Sequence, residues 1–239
     1  MSKRTDAFLT TFNELETFLR DATNSRRNVP FGGLIQRASE ENAAVRAHAR
    51  DLREWADLRN AVVHEHPRGE VIAEITEAAL AEFQVMANRV MAPPRVFPLY
   101  RRDVRVFKMS DPLTEAVEDL WREGYSQVIV RNQDDMAQLS YVGISRWMGE
   151  TIQGTVIDLN GATVGAALAL EEPGGIDFLS REATIYDARE RFQQLAVRRQ
   201  QRLRVIVITE HGLAREAPLG LITASDILES ENGTNGSSR

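Results

Sequence analysis

Two stretches of the sequence combine residue types that could carry chemistry. The first, Arg59-Asn60-Ala61-Val62-Val63-His64, places a guanidinium, an amide and an imidazole near the end of a predicted helix. Asn60 and His64 are four residues apart and therefore share one helix face. An imidazole can move a proton near neutral pH and a guanidinium can neutralise phosphate charge, so the set could cleave a phosphodiester. The same residues are also typical of a polar helix end that faces water.

The second stretch lies near the C-terminus and reads Gly220-Leu221-Ile222-Thr223-Ala224-Ser225-Asp226. A β-branched run, Val205-Ile206-Val207-Ile208, precedes it, so the pattern predicts a strand, a turn, a second strand and then a helix. A carboxylate at such a junction can accept hydrogen bonds from the vicinal hydroxyls of a ribose, and a helix N-terminus attracts anions. Thr-x-Ser-Asp is equally typical of an ordinary helix N-cap.

The composition excludes several classes of function. With 239 residues the chain can form two modest domains, and its net charge of −6 does not favour general nucleic-acid binding. The absence of cysteine excludes disulfides, thiolate metal sites and cysteine nucleophiles, and with only four histidines we expect no metal site. No apolar run reaches membrane-spanning length, and the N-terminus lacks the apolar core of a signal peptide. We therefore expect a cytoplasmic protein with no membrane partner.

Helical periodicity fills residues 1–92. Apolar residues recur at helical spacing from Asp6 to Ala22, a second long helix is predicted from near Leu34 towards His64, and another from Val71 to Met91. No strand pattern interrupts them. This region is therefore predicted to be an antiparallel helical bundle.

The motif Arg-Asn-x-x-x-His, formed by Arg59, Asn60 and His64 late in this bundle, resembles the pattern of HEPN domains. The resemblance covers roughly residues 5–91. It implies a metal-independent ribonuclease, with no catalytic cofactor, whose composite site forms from two such motifs across a symmetric homodimer. The catalytic residues would then be Arg59, Asn60 and His64, while His66 fits the looser spacing of some members. Many relatives are inactive and serve as interaction modules, so both alternatives stay open.

Past a Pro-rich segment, predicted to be a stiff linker over residues 93–104, an internal duplication occupies residues 105–231. The first copy covers about 105–152 and the second about 176–231. Each copy is predicted to form a helix, two strands and a further helix. Residues 232–239 are predicted to be a disordered tail because they are polar and rich in Gly and Ser.

Two short strands are predicted in each copy. They are expected at 128–130 and 141–145 in the first copy, and at 205–208 and 219–222 in the second. Val130 to Gly143 and Val207 to Gly220 both span 13 residues. This register aligns Gly149 with Asp226.

Each copy resembles a cystathionine-β-synthase (CBS) domain, and the pair resembles a Bateman module. The resemblance rests on Pro112-Leu113-Thr114-Glu115-Ala116, on Ser126-Gln127-Val128-Ile129-Val130 and above all on the stretch from Gly220 to Asp226. It implies small mixed sheets flanked by helices, arranged about a pseudo-twofold axis and often dimeric. The whole chain is thus predicted to be α+β, with an all-α N-terminal bundle followed by a CBS pair.

The resemblance further implies a regulatory ligand, an adenine nucleotide such as AMP, ADP or ATP, in a cleft of the pair. Asp226 would accept the ribose hydroxyls, with Thr223 and Ser225 beside the ribose or phosphate. Further contacts would come from residues that line the base, Arg105, Val106, Tyr125 and Ser126, and from residues that meet the phosphate, Arg202 and Arg204. In the first copy Gly149 takes the place of the ribose carboxylate, so one competent cleft per chain is expected.

Two functions follow from the two resemblances. In the first, nucleotide binding by the CBS pair controls a ribonuclease in the HEPN-like domain, and RNA is its substrate. In the alternative, the protein is a non-catalytic nucleotide sensor whose helical domain only mediates dimerisation or partner binding.

Overall fold

The computed structural model describes residues 2–63, 74–154, 156–197 and 204–235. The chain divides into two compact units. A helical unit comprises Met1–Pro94 and Thr184–Asp187, and a sheet-containing unit comprises Arg95–Ala183 and Ala188–Arg239. The predicted α+β class is confirmed, because the described part of the first unit is helical and the second contains two small sheets with helices. Among the described residues, no helix is long and apolar enough to cross a membrane.

The helical unit buries one aromatic-rich core. Its helices are α1 (Lys3–Ala22), α2 (Phe31–Glu41), α3 (Ala43–Ala47), α4 (Ala49–Val63) and α5 (Glu77–Met91). Phe8, Phe12 and Phe83 lie at the centre of this core, and Trp55 packs against them with its ring centroid 5.1 Å from that of Phe83. This burial supplies most of the stability of such short helices, because isolated helices of this length are marginal in water.

The prediction of one long helix from near Leu34 is wrong, because the helix is interrupted twice. Asn42 is extended, and its side-chain oxygen accepts a hydrogen bond from Val45 N at 3.0 Å, so it caps a new helix instead of continuing the old one. A second break falls at His48, between α3 and α4. The helix predicted from Val71 begins within the described residues at Glu77, because Thr76 caps it through Ala79 N.

The sheet-containing unit holds the duplication. Its elements in chain order are α6 (Val96–Leu99), β1 (Val106–Lys108), α7 (Leu113–Glu123), β2 (Gln127–Asn132), β3 (Asp135–Ser140), α8 (Tyr141–Thr151), α9 (Val164–Leu168), β4 (Ile176–Ser180), α10 (Ile185–Val197, whose first residues belong to the helical unit), β5 (Val205–Thr209), β6 (Gly220–Thr223) and α11 (Ala224–Asn235). In both three-stranded sheets the first strand is parallel to the second, and the third is antiparallel to it. The shared topology agrees with the predicted duplication, but the first, parallel strand of each sheet, β1 or β4, was not predicted.

The strand predicted at 141–145 is wrong, and the error changes the alignment of the two copies. Ser140 ends β3 and caps α8 through Val142 N, so the apolar run that follows is helical. Ser140 pairs with the first residue of β2, as Thr223 pairs with the first residue of β5. Ser140 is therefore equivalent to Thr223, and Gly143, rather than Gly149, occupies the position of Asp226.

Two predicted irregular segments contain helix. Within the linker predicted at 93–104, Val96–Leu99 forms a short helical segment interrupted by an extended Phe97. Helix α11 continues to Asn235, so it extends into the tail predicted to be disordered at 232–239. Residues 236–239 lie outside the described residues.

One apolar cluster joins the two sheets. Its buried members are Ile129 and Met136 from the first sheet and Val205 and Val207 from the second. The opposite faces of the sheets pack on helices, for example through Val130 against α7 and through Ile208 on the other sheet. Each sheet is therefore covered on both faces, which explains the continuously buried run along β5.

Candidate functional site

A cavity of about 730 Å³ lies within the sheet-containing unit and is lined by both copies of the duplication. It brings together six of the residues predicted to bind a ligand, which are Arg105, Tyr125, Ser126, Arg204, Thr223 and Ser225. Arg102, which the sequence analysis did not assign to the site, also lines it. Its size falls within the range of small-molecule sites.

The junction between β6 and α11 is built by reciprocal capping. Asp226 Oδ2 accepts hydrogen bonds from Thr223 N at 2.6 Å and from Thr223 Oγ1 at 2.7 Å, and Asp226 N donates to Thr223 Oγ1 at 3.4 Å. The second carboxylate oxygen, Oδ1, accepts from Arg102 Nη2 at 3.0 Å. The Asp226 carboxylate thus acts both as a helix cap and as an ion-pair partner of Arg102.

The charge of Asp226 is stabilised by these contacts. Burial by itself would raise the pKa of Asp226, but the hydrogen bonds from Thr223 and the Arg102 guanidinium outweigh it, and the pKa lies below its ordinary value. The carboxylate is therefore ionised at neutral pH and remains an acceptor. Such an acceptor suits ligand hydroxyls, whereas a phosphate there would need the neighbouring arginine.

The cap alone does not define a ligand site. At the start of α10, Asp187 Oδ2 accepts from Thr184 N and from Thr184 Oγ1, both at 2.7 Å. This is the same arrangement, but neither Thr184 nor Asp187 lines the cavity. Asp226 itself is also not among the lining residues, whereas its capping partner Thr223 and its ion-pair partner Arg102 are. Asp226 therefore differs from Asp187 in having an arginine partner and in contacting two residues of the cavity wall, and these two features are the basis for assigning it to the site.

Gly220 permits the close approach that positions Arg102. A Cβ atom at this position would overlap the carbonyl oxygen of Tyr100, and Arg101 forms an isolated antiparallel bridge with Gly220. The segment before β1 therefore lies against the start of β6. In the sequence, a glycine in a strand can indicate that another backbone segment approaches closely, but it does not show which segment.

The predicted base-lining residues divide into two groups. Tyr125 and Ser126 follow α7 and line the cavity, with the tyrosine side chain half exposed. Arg105 lines it as well, but its guanidinium stacks 4.3 Å from the Phe107 ring centroid and pairs with the buried Asp119 at 3.1 Å. Val106 instead packs in the apolar cluster between the sheets.

Of the two predicted phosphate contacts, Arg204 lines the cavity and Arg202 lies outside the described residues. Three arginines, Arg102, Arg105 and Arg204, thus reach the cavity, and each pairs with a carboxylate. A ligand phosphate could replace one of these carboxylates, because arginine binds both groups through the same planar donors.

The candidate catalytic residues of the helical unit are only partly within the described residues. Arg59 Nη1 donates to Asn60 Oδ1 at 3.3 Å, and the guanidinium lies 5.9 Å from the Phe12 ring centroid. Asn60 is exposed near the end of α4. His64 and His66 lie outside the described residues, so their catalytic role remains a prediction. Within the described ranges, no group of three or more His, Cys, Asp or Glu could hold a metal ion.

Comparisons with known proteins give only distant likenesses. No model of a known protein family and no curated protein matches the chain. The solved structures that resemble it include CBS-domain proteins. One from Kribbella flavida is 18% identical over 55% of this chain and 95% of its own, with a TM-score of 0.44. One from Burkholderia ambifaria is 13% identical over 55% and 85%, with a TM-score of 0.40.

A third structure, of CBSX2 in complex with AMP, is 16% identical over 57% of this chain and 92% of its own, with a TM-score of 0.40. All three TM-scores lie below 0.5 and the identities below 25%. They therefore establish no ligand for this chain.

Proposed function

We propose that this protein senses an adenine nucleotide, AMP, ADP or ATP, which binds in the cavity of a CBS-type pair and regulates the helical unit. The observation that carries the proposal is the cavity itself. It gathers the hydroxyls of Thr223 and Ser225 from the second copy, the hydroxyl of Ser126 from the first copy, and the guanidinium of Arg102 from the segment before the first copy, next to the ionised Asp226 carboxylate. A nucleotide requires this combination of diol acceptor and cation.

The ligand would exchange internal contacts for its own. The ribose hydroxyls would donate to Asp226, and the phosphate would accept from Arg102, so each member of the Arg102–Asp226 ion pair would gain a ligand partner. Tyr125 is half exposed at the cavity wall and offers an aromatic face to the base. Regulation requires that the ligand bind two arrangements of the chain unequally, because equal affinity shifts no equilibrium.

Substitution of the carboxylate tests the proposal. Asp226→Ala should weaken adenine-nucleotide binding by about 10- to 100-fold, since a hydrogen bond to a charged group contributes about 1.5–3 kcal/mol. Titration calorimetry with AMP, ADP and ATP measures the change. The matched control is Asp187→Ala, which removes the same capping arrangement at a helix start that does not line the cavity.

The control separates binding from folding. Asp187→Ala is expected to lose stability as Asp226→Ala does, but to retain the affinity of the unsubstituted protein. An unchanged dissociation constant in Asp226→Ala would rule out the carboxylate as the ribose acceptor. Equal affinity losses in the two variants would show that the effect comes from destabilisation.

Two functions are proposed for the helical unit. Arg59 and the exposed Asn60 near the end of α4 favour a HEPN-like, metal-independent ribonuclease that works as a homodimer. The alternative is a non-catalytic module for dimerisation or partner binding. His64→Ala should abolish RNA cleavage in the presence of a chelator and leave the homodimer intact by light scattering. Cleavage that survives in His64→Ala but disappears in His66→Ala would assign the other histidine, and no cleavage by the unsubstituted protein would favour the partner-binding module.

A further inference from the structure

The first copy of the duplication contains a carboxylate that its own repeat does not encode. Because Ser140 and Thr223 hold equivalent strand positions, the place of Asp226 is taken by Gly143 in the first copy. Glu171 reaches this place from the segment between the two copies, after helix α9. Its side chain is only 4% exposed, so it belongs to the interior of the unit.

Glu171 reproduces the hydrogen bonds that Asp226 makes. Its Oε2 accepts from Ser140 N at 2.6 Å and from Ser140 Oγ at 2.7 Å. In the second copy, Asp226 Oδ2 accepts from Thr223 N at 2.6 Å and from Thr223 Oγ1 at 2.7 Å. The two helix starts are therefore satisfied by the same chemistry, from different positions in the chain.

Gly143 provides the space that Glu171 needs. A Cβ atom at position 143 would lie 2.6 Å from Glu171 Oε2 and 2.9 Å from Leu139 Cδ1. A side chain at position 143 and the glutamate therefore compete for one place. In the first copy, Gly143 and Glu171 together therefore take the place that Asp226 holds in the second copy.

Arg204 completes this arrangement on the cavity side. Its Nη1 lies 3.7 Å from Glu171 Oε1 and donates a hydrogen bond to Ser140 Oγ. Arg204 and Ser140 both line the cavity. A ribose or phosphate on this side would have to separate an ion pair whose carboxylate is buried and already accepts hydrogen bonds, and removing one partner of such a pair is costly.

We infer that Glu171 replaces, in the first copy, the carboxylate that Asp226 supplies in the second. Together with Arg204 it occupies the part of the cavity next to Ser140, which we call the first-copy side. The cavity then accepts one nucleotide per chain, on the side of Asp226. This stoichiometry rests on the proposed nucleotide binding, whereas the substitution of one carboxylate for another does not.

A stability cycle without ligand tests the substitution. Its members are the unsubstituted protein, Glu171→Ala, Gly143→Asp and the double variant. Each single variant should lower the thermal midpoint by about 3–6 °C, since one removes a buried partner and the other crowds two carboxylates. The double variant should recover most of this loss, because an aspartate at 143 then has room beside a flexible Leu139 end. Glu172→Ala, which removes the adjacent and more exposed carboxylate, is the control and should change the midpoint little.

The outcomes of the cycle are unambiguous. Recovery in the double variant supports the substitution, and a double variant that loses the sum of the two single effects overturns it. Titration of the same proteins with AMP then tests the single site. We expect one AMP per unsubstituted chain and two per chain of the double variant, in which both copies carry the Asp226 arrangement.

Binding of two AMP molecules per unsubstituted chain, or of one per chain of the double variant, would contradict the inference that Glu171 and Arg204 block the part of the cavity next to Ser140. Absence of any adenine-nucleotide binding by the unsubstituted protein would instead defeat the proposed function. The ligand-free cycle would still decide whether Glu171 replaces the carboxylate.

Discussion

Arg102 connects the linker segment to the helix start that carries Asp226. Its Nη2 donates to Asp226 Oδ1, and it lies there because the backbone of Tyr100 and Arg101 passes against Gly220. The side chain is 40% exposed, so its ion pair is accessible to a competing ligand. A bound phosphate could therefore capture the guanidinium without breaking the core of the unit.

Arg102→Ala is expected to weaken adenine-nucleotide binding about tenfold or more, since it removes a charge-assisted contact to phosphate. The midpoint of the ligand-free protein should change little, because such an exposed ion pair contributes about 0–1 kcal/mol. Calorimetry against Arg101→Ala, which removes the adjacent exposed arginine, isolates the effect. Equal losses of affinity in the two variants would contradict a specific role for Arg102.

The capping carboxylate also predicts a pH dependence. Because hydrogen bonds and Arg102 hold the folded-state pKa of Asp226 below its ordinary value, the stability that it contributes is fully present above the unfolded-state pKa of about 4. This contribution is lost as the pH falls through the lower, folded-state pKa. The midpoint difference between the unsubstituted protein and Asp226→Asn should be constant from pH 7 to about pH 5 and should shrink in more acidic buffer. A difference that grows on acidification would contradict this assignment.

At the edge of the second sheet, Gly220 decides how close the linker can come. Gly220→Ala should destabilise the protein by about 1–3 kcal/mol, because its Cβ would overlap the Tyr100 carbonyl and push the linker away. Gly149→Ala in α8 is the matched control, since a Cβ there meets no atom within 4 Å and alanine is favoured in helices. Denaturant unfolding should show a loss in the first variant and no loss in the second. A loss in both would refute the close-approach argument.

The sequence predicted the long and strongly patterned elements and missed elements whose limits depend on capping. Helix α1 and strand β5 are confirmed, because helical periodicity predicted the first and a β-branched run predicted the second. Tyr141–Thr151 was predicted to begin as a strand, because a short apolar run fits both a strand and a helix. The Ser140 cap decides between them, and a capping residue carries less signal than a run of valines.

The two copies were misaligned in the sequence because the connections between their strands differ in length. The strands β2 and β3 are joined through residues 133–134, whereas β5 and β6 are joined through residues 210–219. Equal spacing in the sequence therefore did not mean equal position in the fold. Glu171 could not be predicted either, because it lies outside both copies and only tertiary packing brings it to Ser140.

The whole chain combines two units with separate hydrophobic cores. The core of the helical unit is centred on Phe8, Phe12 and Phe83, while the sheet-containing unit has clusters of its own around both sheets. A ligand in the cavity acts directly on the second unit, so the proposed control of the helical unit depends on unequal binding to two arrangements of the chain. Either output proposed for the helical unit, RNA cleavage or partner binding, is compatible with this thermodynamic requirement.

The most direct measurement is the thermal midpoint of the purified protein against AMP, ADP, ATP, the corresponding guanine nucleotides and inorganic phosphate. A ligand at about 100 times its dissociation constant stabilises the folded state by about 2.7 kcal/mol, which corresponds to roughly 5–10 °C in a chain of this size. The proposed function predicts such a shift with an adenine nucleotide, and its loss in Asp226→Ala but not in Asp187→Ala. No shift with any nucleotide, or the same shift with inorganic phosphate alone, would contradict the adenine-nucleotide site.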